Sequence, residues 1–462
     1  MFLPSRVTRY ALLTGNLTPA CQNMLKYVNK IYILILLVSV IGTFLVTALL
    51  VNIFERKEEG KNRFVQVVPI GDYESDPAVW GHNFPDEYDT WRKTTENYGS
   101  TEFGGSNKRD KLAEDPRLKI LYAGYPFSIE YNDERGHGWS IVDVVSIKRL
   151  GDKKPGTCFT CKSSDNIRMW HEMGAEKFYL TPMKELVLHA KNPISCLNCH
   201  DPKTMELRPA NPAFLEAMKE RGIDLSSATR QEMRSYVCGQ CHVEYYFESK
   251  EKPILHFPWK NGLALENIEK YYDDINFHDW THPDSGAEMI KIQHPDFELW
   301  STGIHARSGV SCADCHMPFK RVGSQKISNH WVRSPLMTVA SSCQSCHRWD
   351  ENELKQRVSI IQRRTRKLMD QSEVAIIDAI NTIKTAKDAG VDDASLQEAR
   401  KLHRRAQIRW DFIGSENGMG FHSPQESVRL LAEAIDFARQ AQISAMKAME
   451  KKGKSSLSKF TL

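Results

Sequence analysis

Ten of the eleven cysteines in this 462-residue chain form five CxxC pairs: Cys158/Cys161, Cys196/Cys199, Cys238/Cys241, Cys312/Cys315 and Cys343/Cys346. Four pairs run straight into histidine, as CLNCH, CGQCH, CADCH and CQSCH, so His200, His242, His316 and His347 each follow a second cysteine. A disulfide framework has no reason to put histidine there, and zinc normally draws two such pairs onto one tetrahedral ion. The repeated pattern is that of c-type haem: two thiols capture two vinyl groups on one edge of the porphyrin, and the next side chain reaches the iron. Such a chain builds its core largely from porphyrin, with helices and loops draped over it. The fifth pair departs from the pattern, because in CFTCK Lys162 stands where histidine is expected. By itself that pentapeptide is a decayed haem site, an unrelated cysteine pair, or a haem with an unusual axial ligand. Cys21 is left over and is read as a free thiol.

Residues 31–54 carry no charge. At about 1.5 Å per residue this stretch would span roughly 36 Å as a helix, enough to cross the apolar part of a bilayer. It is read as an uncleaved transmembrane signal anchor following a cytoplasmic segment, 1–30; a cleaved signal peptide is the alternative. Arg6, Arg9, Lys26 and Lys30 precede the span and Arg56, Lys57, Lys61 and Arg63 follow it, so flanking charge does not orient it. Haem attachment takes place outside the cytoplasm, which puts the body on the periplasmic face. Thioether bonds then account for ten cysteines that an oxidising compartment would otherwise pair. A net charge of +4 with 26% charged residues is too balanced to point to nucleic acid.

The expected fold is mainly α, a multihaem cytochrome c fold with a haem-packed core, long C-terminal helices and an N-terminal transmembrane helix. Residues 55–350 form the haem-binding catalytic domain, beginning with a polar connector, and 351–462 form a long-helix region. Leu354, Val358, Ile361 and Leu368, then Ile376, Ile380 and Ile383, predict an amphipathic helix that stops near Gly390. A second runs from Leu396 to Trp410. Ser423 to Glu426 reads as a capping box with Pro424 at the first helical position, opening a helix to about Lys451. These apolar stripes serve either core packing or a subunit interface.

A haem devoted to electron transfer needs a second strong ligand, and twelve of the sixteen histidines lie outside the CxxCH motifs. Spacing alone does not choose among them. The combination of CFTCK, CGQCHVEYYF, KIQHP and HARSGVSCADCHMP, in that order, resembles the pentahaem, ammonia-forming cytochrome c nitrite reductases over roughly residues 117–431. The resemblance implies five haem c groups and makes the CFTCK haem the active one, with Lys162 as proximal ligand and an open distal face. A free lysine has a pKa of about 10.4, yet burial and a metal favour the neutral amine that can donate a lone pair. The resemblance also implies His137 as distal ligand to the CGQCH haem, His305 to CQSCH, His330 to CLNCH and His422 to CADCH.

Around the open iron the resemblance implies Arg149, Tyr245 and His294 as catalytic residues. Arginine and imidazolium attract the anion and stabilise charge as an N–O bond breaks, while histidine and tyrosine pass protons to the departing oxygens. A calcium site is implied beside them, from the Glu244 carboxylate, the carbonyls of Tyr245 and Lys291, and the Gln293 amide oxygen, all hard donors. In an extended KIQHP segment Gln293 and His294 point to opposite sides.

The implied activity is six-electron reduction of nitrite to ammonium, with a membrane quinol dehydrogenase or other multihaem protein as electron donor and a homodimer through the C-terminal helices. The alternative is a non-catalytic multihaem cytochrome that links the quinone pool to another reductase; CxxCK with Arg149, Tyr245 and His294 is what such a wire would not need. A hydroxylamine-oxidising relative would carry more haems and an all-CxxCH set.

Overall fold

The computed structural model describes residues 19–61, 66–96, 99–151, 154–323 and 325–458. The chain divides into two compact units, Met1–Val67 and Val68–Leu462.

In the first unit one helix, Pro19–Lys61, opens on a proline and outruns the uncharged stretch at both ends. Within Lys26–Lys57 its most apolar 18 residues have a mean hydropathy of 2.8, with their side chains exposed. The hydroxyl of Thr43 donates to the Ser39 carbonyl at 2.8 Å, so this polar group needs no water. By length and composition the helix can cross a membrane. Arg6, Arg9 and Arg63, which flank it in sequence, lie outside the described residues.

The second unit is organised by three long helices, Glu351–Asp388, Asp393–Gly414 and Pro424–Ser458. The first two start on side-chain caps: Asp350 accepts from the Glu353 amide at 3.0 Å and Asp392 from the Ser395 amide at 2.8 Å. Gly390, at φ +75°, ends the first where the sequence predicts. The second and third run on to Gly414 and Ser458, past the expected Trp410 and Lys451; no glycine or proline stands between Trp410 and Gly414, and the third helix continues through Gly453. At the head of the third, Glu426 is occupied by Arg429, with contacts of 2.6 and 3.0 Å.

The apolar stripes pack on one another. Ile376, Ala379 and Ile380 bury against Ala406, Ile413, Leu430, Leu431, Ala434, Ala438 and Ala441, and alanines on one helical face let the backbones approach closely. The first helix changes role along its length. Its leading turns present Leu354, Val358 and Ile361 to a large internal cavity, while Ile376, Ile380 and Ile383 fill the interhelical core.

Between residues 68 and 350 the helices are short, the longest being Arg230–Gly239 and Leu265–Asp274, of ten residues each. Three two-stranded antiparallel hairpins join them: Tyr246–Phe247 with Leu255–His256, Trp280–Thr281 with Glu288–Met289, and Phe319–Val322 with Gln325–Ser328. Chain of this kind wraps the cavity and positions the site.

Candidate active site

One continuous cavity of about 1950 Å³ runs through the second unit, lined by all ten cysteines of the five pairs and by the residue after each pair. That is about twice the volume of a large small-molecule pocket. At three motifs a single helical turn sets the geometry: the amide of His200 returns to Cys196 O at 2.9 Å, His242 to Cys238 O at 3.0 Å and His347 to Cys343 O at 2.9 Å. Positions i, i+3 and i+4 share one helical face, so two thiols and one imidazole project together. Local caps fix two of the turns, Ser195 with Asn198 before CLNCH and Ser311 with Asp314 before CADCH. At CFTCK the turn is tighter, with the Lys162 amide bonded to Phe159 O at 3.1 Å.

Each histidine that follows a pair faces a second imidazole across the cavity. Ring centroids are 6.4 Å apart for His137 and His242, 6.2 Å for His200 and His330, 6.3 Å for His305 and His347, and 6.3 Å for His316 and His422. Two imidazoles held by one metal on opposite sides, with bonds of about 2 Å, place their centroids roughly 6 Å apart. In five of these eight rings Nδ1 is already engaged: His200 with Met205 O at 2.8 Å, His316 with Arg333 O at 3.1 Å, His330 with Ser328 O at 2.9 Å, His422 with Glu416 Oε2 at 2.8 Å and His242 with Asp296 Oδ2 at 3.4 Å. That leaves Nε2 free, the arrangement that orients metal-binding histidines. Burial pushes His137, His316 and His330 down to about 4, the neutral form that has a lone pair to give. At His422 burial works the same way, but the Glu416 hydrogen bond and charge outweigh it and raise the group to about 9. Donor set, spacing and cavity fit covalently attached haem.

Lys162 pairs with Glu134, its Nζ donating to Oε2 at 2.5 Å. Burial alone would favour the neutral amine, as the sequence suggests, but the Glu134 charge outweighs it and holds the lysine above its usual value. Arg149, Tyr245 and His294 line the same cavity. The Arg149 guanidinium lies over the Phe127 ring at 4.2 Å, and its amide donates to Glu130 Oε2 at 3.0 Å beside that of Lys148 at 2.6 Å. Burial raises the Cys158 thiol to about 11 against the pull of Arg149 and Lys162. Burial also raises Tyr245, with Cys158 and Cys161 adding to it. His294 lies in the field of Glu134 and Lys162, so all three candidate catalytic side chains stand within electrostatic reach of the CFTCK turn.

Three residues here carry no motif. Asp296, two positions after His294, has Oδ2 within 3.3 Å of His294 Nδ1 and 3.4 Å of His242 Nδ1. Asn417 holds it with two donors, its amide to Oδ1 at 2.8 Å and its side chain to Oδ2 at 3.1 Å. Glu416 accepts from the Gly418 amide at 2.6 Å as well as from His422.

Of the expected calcium ligands, Glu244, Lys291 and Gln293 are drawn together. Glu244 is fully buried; Oε1 accepts from the Tyr272 hydroxyl at 2.7 Å and Oε2 from the Gln293 amide at 2.6 Å. Burial raises this carboxyl well above its usual range, and among the described residues no lysine or arginine hydrogen-bonds to it. The Gln293 side chain donates to the Lys291 carbonyl at 3.0 Å, while the Lys291 ammonium turns away to Asp411 Oδ1 at 2.8 Å and Ser415 Oγ at 2.6 Å. Tyr245 follows Glu244 directly in the chain. A buried carboxylate beside the Lys291 carbonyl, and a Gln293 amide whose oxygen one torsion can turn toward it, suit a hard cation.

Residues 76–460 match the model of the cytochrome c552 family. A cytochrome c-552 of Bacteroides fragilis is 41% identical over 413 residues, covering 87% of this chain and 83% of the relative. One of Porphyromonas gingivalis is 38% identical over 424 residues, covering 90% and 85%. Among solved structures, the cytochrome c nitrite reductase of Desulfovibrio desulfuricans, whose catalytic subunit has two calcium sites, matches with a TM-score of 0.77 at 31% identity, over 82% of this chain and 88% of that one. The chain belongs to the cytochrome c552 family.

Proposed function

We propose that this protein is an ammonia-forming nitrite reductase, reducing nitrite by six electrons at a lysine-ligated haem c fed by four bis-histidine haems. The observation that carries the reading is a division among the five attachment turns. Four of them present a histidine to a second imidazole at 6.2–6.4 Å, whereas Lys162 pairs with Glu134 and has Arg149, Tyr245 and His294 within electrostatic reach of its turn. In this reading each cysteine pair carries one haem, and the iron ligands are Lys162, His137 with His242, His200 with His330, His305 with His347, and His316 with His422. When bound, the haems supply an iron that accepts the substrate and a relay that delivers electrons.

The chain's own residues do the rest. Arg149, kept from collapsing by Phe127 and by the Glu130 grip on its backbone, offers a permanent positive charge to the anion and to the negative charge that develops on its oxygens. Reducing nitrite to ammonium and two waters consumes eight protons. Tyr245 and His294 line the cavity where such protons are needed, and Asp296 on Nδ1 leaves His294 Nε2 as the atom that holds and gives up a proton. Glu244, the carbonyls of Tyr245 and Lys291, and Gln293 would hold calcium, next in the chain to Tyr245 and His294.

The body works on the periplasmic face, tethered by Pro19–Lys61 unless that helix is removed as a signal peptide, and takes electrons from a membrane quinol dehydrogenase or other multihaem donor. Ile360, Val374, Val428, Ile443 and Met446, exposed on the long helices, are where a second copy would pack to form a homodimer. A pyridine-haemochrome assay tests the cofactor assignment: five haems per chain are expected, and four would make CFTCK a decayed motif and leave an electron-transfer cytochrome.

A further inference from the structure

Asp296 stands between the two halves of the proposed chemistry. Its Oδ2 lies 3.4 Å from Nδ1 of His242, the residue after the CGQC pair, and 3.3 Å from Nδ1 of His294, the residue that faces substrate. The two rings are themselves 4.6 Å apart at 34°. An ionised carboxylate only accepts hydrogen bonds, so each imidazole presents Nδ1–H to it. The tautomer of both rings is set by one atom: His242 keeps Nε2 for the side on which His137 lies, and His294 keeps Nε2 on the cavity side, 3.5 Å from Asn417 Nδ2. The backbone repeats the link. The Asp296 amide donates to His294 O at 2.9 Å, and the next amide, Phe297, donates to His242 O at 3.0 Å. Asp296 is itself pinned, since Asn417 donates to both of its oxygens, and it is almost wholly buried.

We propose that Asp296 is a shared positioning residue, which orients the proton-donating His294 and tunes the iron that His242 ligates. It rests on the reading of His242 as an iron ligand and His294 as substrate-facing. A carboxylate on the far nitrogen makes an axial imidazole a stronger donor and stabilises the oxidised metal. The carboxylate that aims the proton donor therefore also sets the potential of a neighbouring electron-carrying haem.

The test is a potentiometric titration of the purified holoprotein, following individual haems by electron paramagnetic resonance, alongside nitrite kinetics. Asp296→Asn keeps the shape and removes the charge; the haem of His242 is expected to move most, to more positive potential, with a smaller shift at the haem of His422, whose Nδ1 lies 3.7 Å from Asp296 Oδ1, while the others hold, and kcat is expected to fall about tenfold or more with little change in KM. Asn417→Ala removes one donor from Oδ2, so the carboxylate accepts more strongly from His242, and the same haem is expected to move to more negative potential. Opposite shifts that are largest at the haem of His242 support the proposal. Unmoved potentials, or a uniform shift of all haems such as a change of net charge produces, overturn it. If Asp296→Asn does not retain five haems, Asn417→Ala alone decides by the same criterion. If the wild-type protein makes no ammonium, the nitrite-reductase reading fails, and the redox titrations still decide the role of Asp296.

Discussion

Gly303 and His422 meet backbone to backbone: a Cβ placed on Gly303 would stand 2.1 Å from the His422 carbonyl oxygen. The contact ties the turn that carries His305 to the segment that carries His422, so two imidazoles on different elements are set by one close approach. Backbone cannot step aside as a flexible side chain can. Gly303→Ala should destabilise the protein by about 3 kcal/mol or more, seen as a lower thermal midpoint and as disturbed low-spin spectra of two haems. An unchanged midpoint would mean that the two segments shift freely.

His294→Ala should leave five haems in place, because among the described contacts this ring touches only Asp296, Asn417 and His242. Loss of a general acid typically costs on the order of 100-fold or more in kcat. Haem content by pyridine haemochrome and ammonium production under reduced viologen separate the two effects.

Arg149 contributes charge, and its planar head is seated on Phe127. Arg149→Ala should raise KM for nitrite and lower kcat together, by roughly 100-fold or more in kcat/KM. Arg149→Lys should recover only part, since an ammonium keeps the charge but not the stacked fork. Steady-state kinetics on both variants check this.

Glu244 predicts a response to metal removal. A chelator should lower activity without loss of haem, calcium should restore it, and magnesium should restore less, because it demands a tighter octahedron. Glu244→Gln should abolish the calcium response. Metal content measured before and after chelation completes the comparison.

His403 predicts a feature of acid stability outside the site. The ring is fully buried, with Nε2 donating to Gln407 Oε1 at 3.1 Å and Nδ1 accepting from Ser285 Oγ at 3.0 Å. Burial, with His282 beside it, depresses the group to about 3. The unfolded chain takes this proton near pH 6.5 and the folded one only near pH 3. The stabilisation is thus complete above about pH 6.5 and drains away as pH falls toward 3, by up to about 1.4 kcal/mol per pH unit. His403→Gln should flatten the fall in thermal midpoint between pH 7 and 5.

What the sequence reveals depends on how local the signal is. The three long helices are visible because Ile376, Ile380 and Ile383 recur at helical spacing and Gly390 stops the run. Their ends are less so, since the second helix continues to Gly414 and the third passes through Gly453 without stopping. Val358 and Ile361 read as core positions but face the cavity, because the pattern records apolar surroundings and not whether protein or cofactor supplies them. The CxxCH turns announce themselves, whereas nothing in spacing ties His137 to His242 or His422 to His316; those pairings need the family resemblance or the fold. Asp296, Glu416 and Asn417 were invisible, since a carboxylate or amide near a histidine has no periodicity of its own. Glu134 was likewise unforeseen, and it changes the electrostatics expected at Lys162.

In the proposed function the turn carrying Lys162 is where nitrite becomes ammonium. The most direct test is an anaerobic titration of the purified protein with reduced viologen and limiting nitrite, counting reducing equivalents and ammonium together. Six electrons should be consumed and one ammonium formed per nitrite, with turnover lost in Lys162→Ala while the four bis-histidine haems still reduce and reoxidise. Nitrite left untouched by a wild-type protein whose haems cycle normally would contradict it.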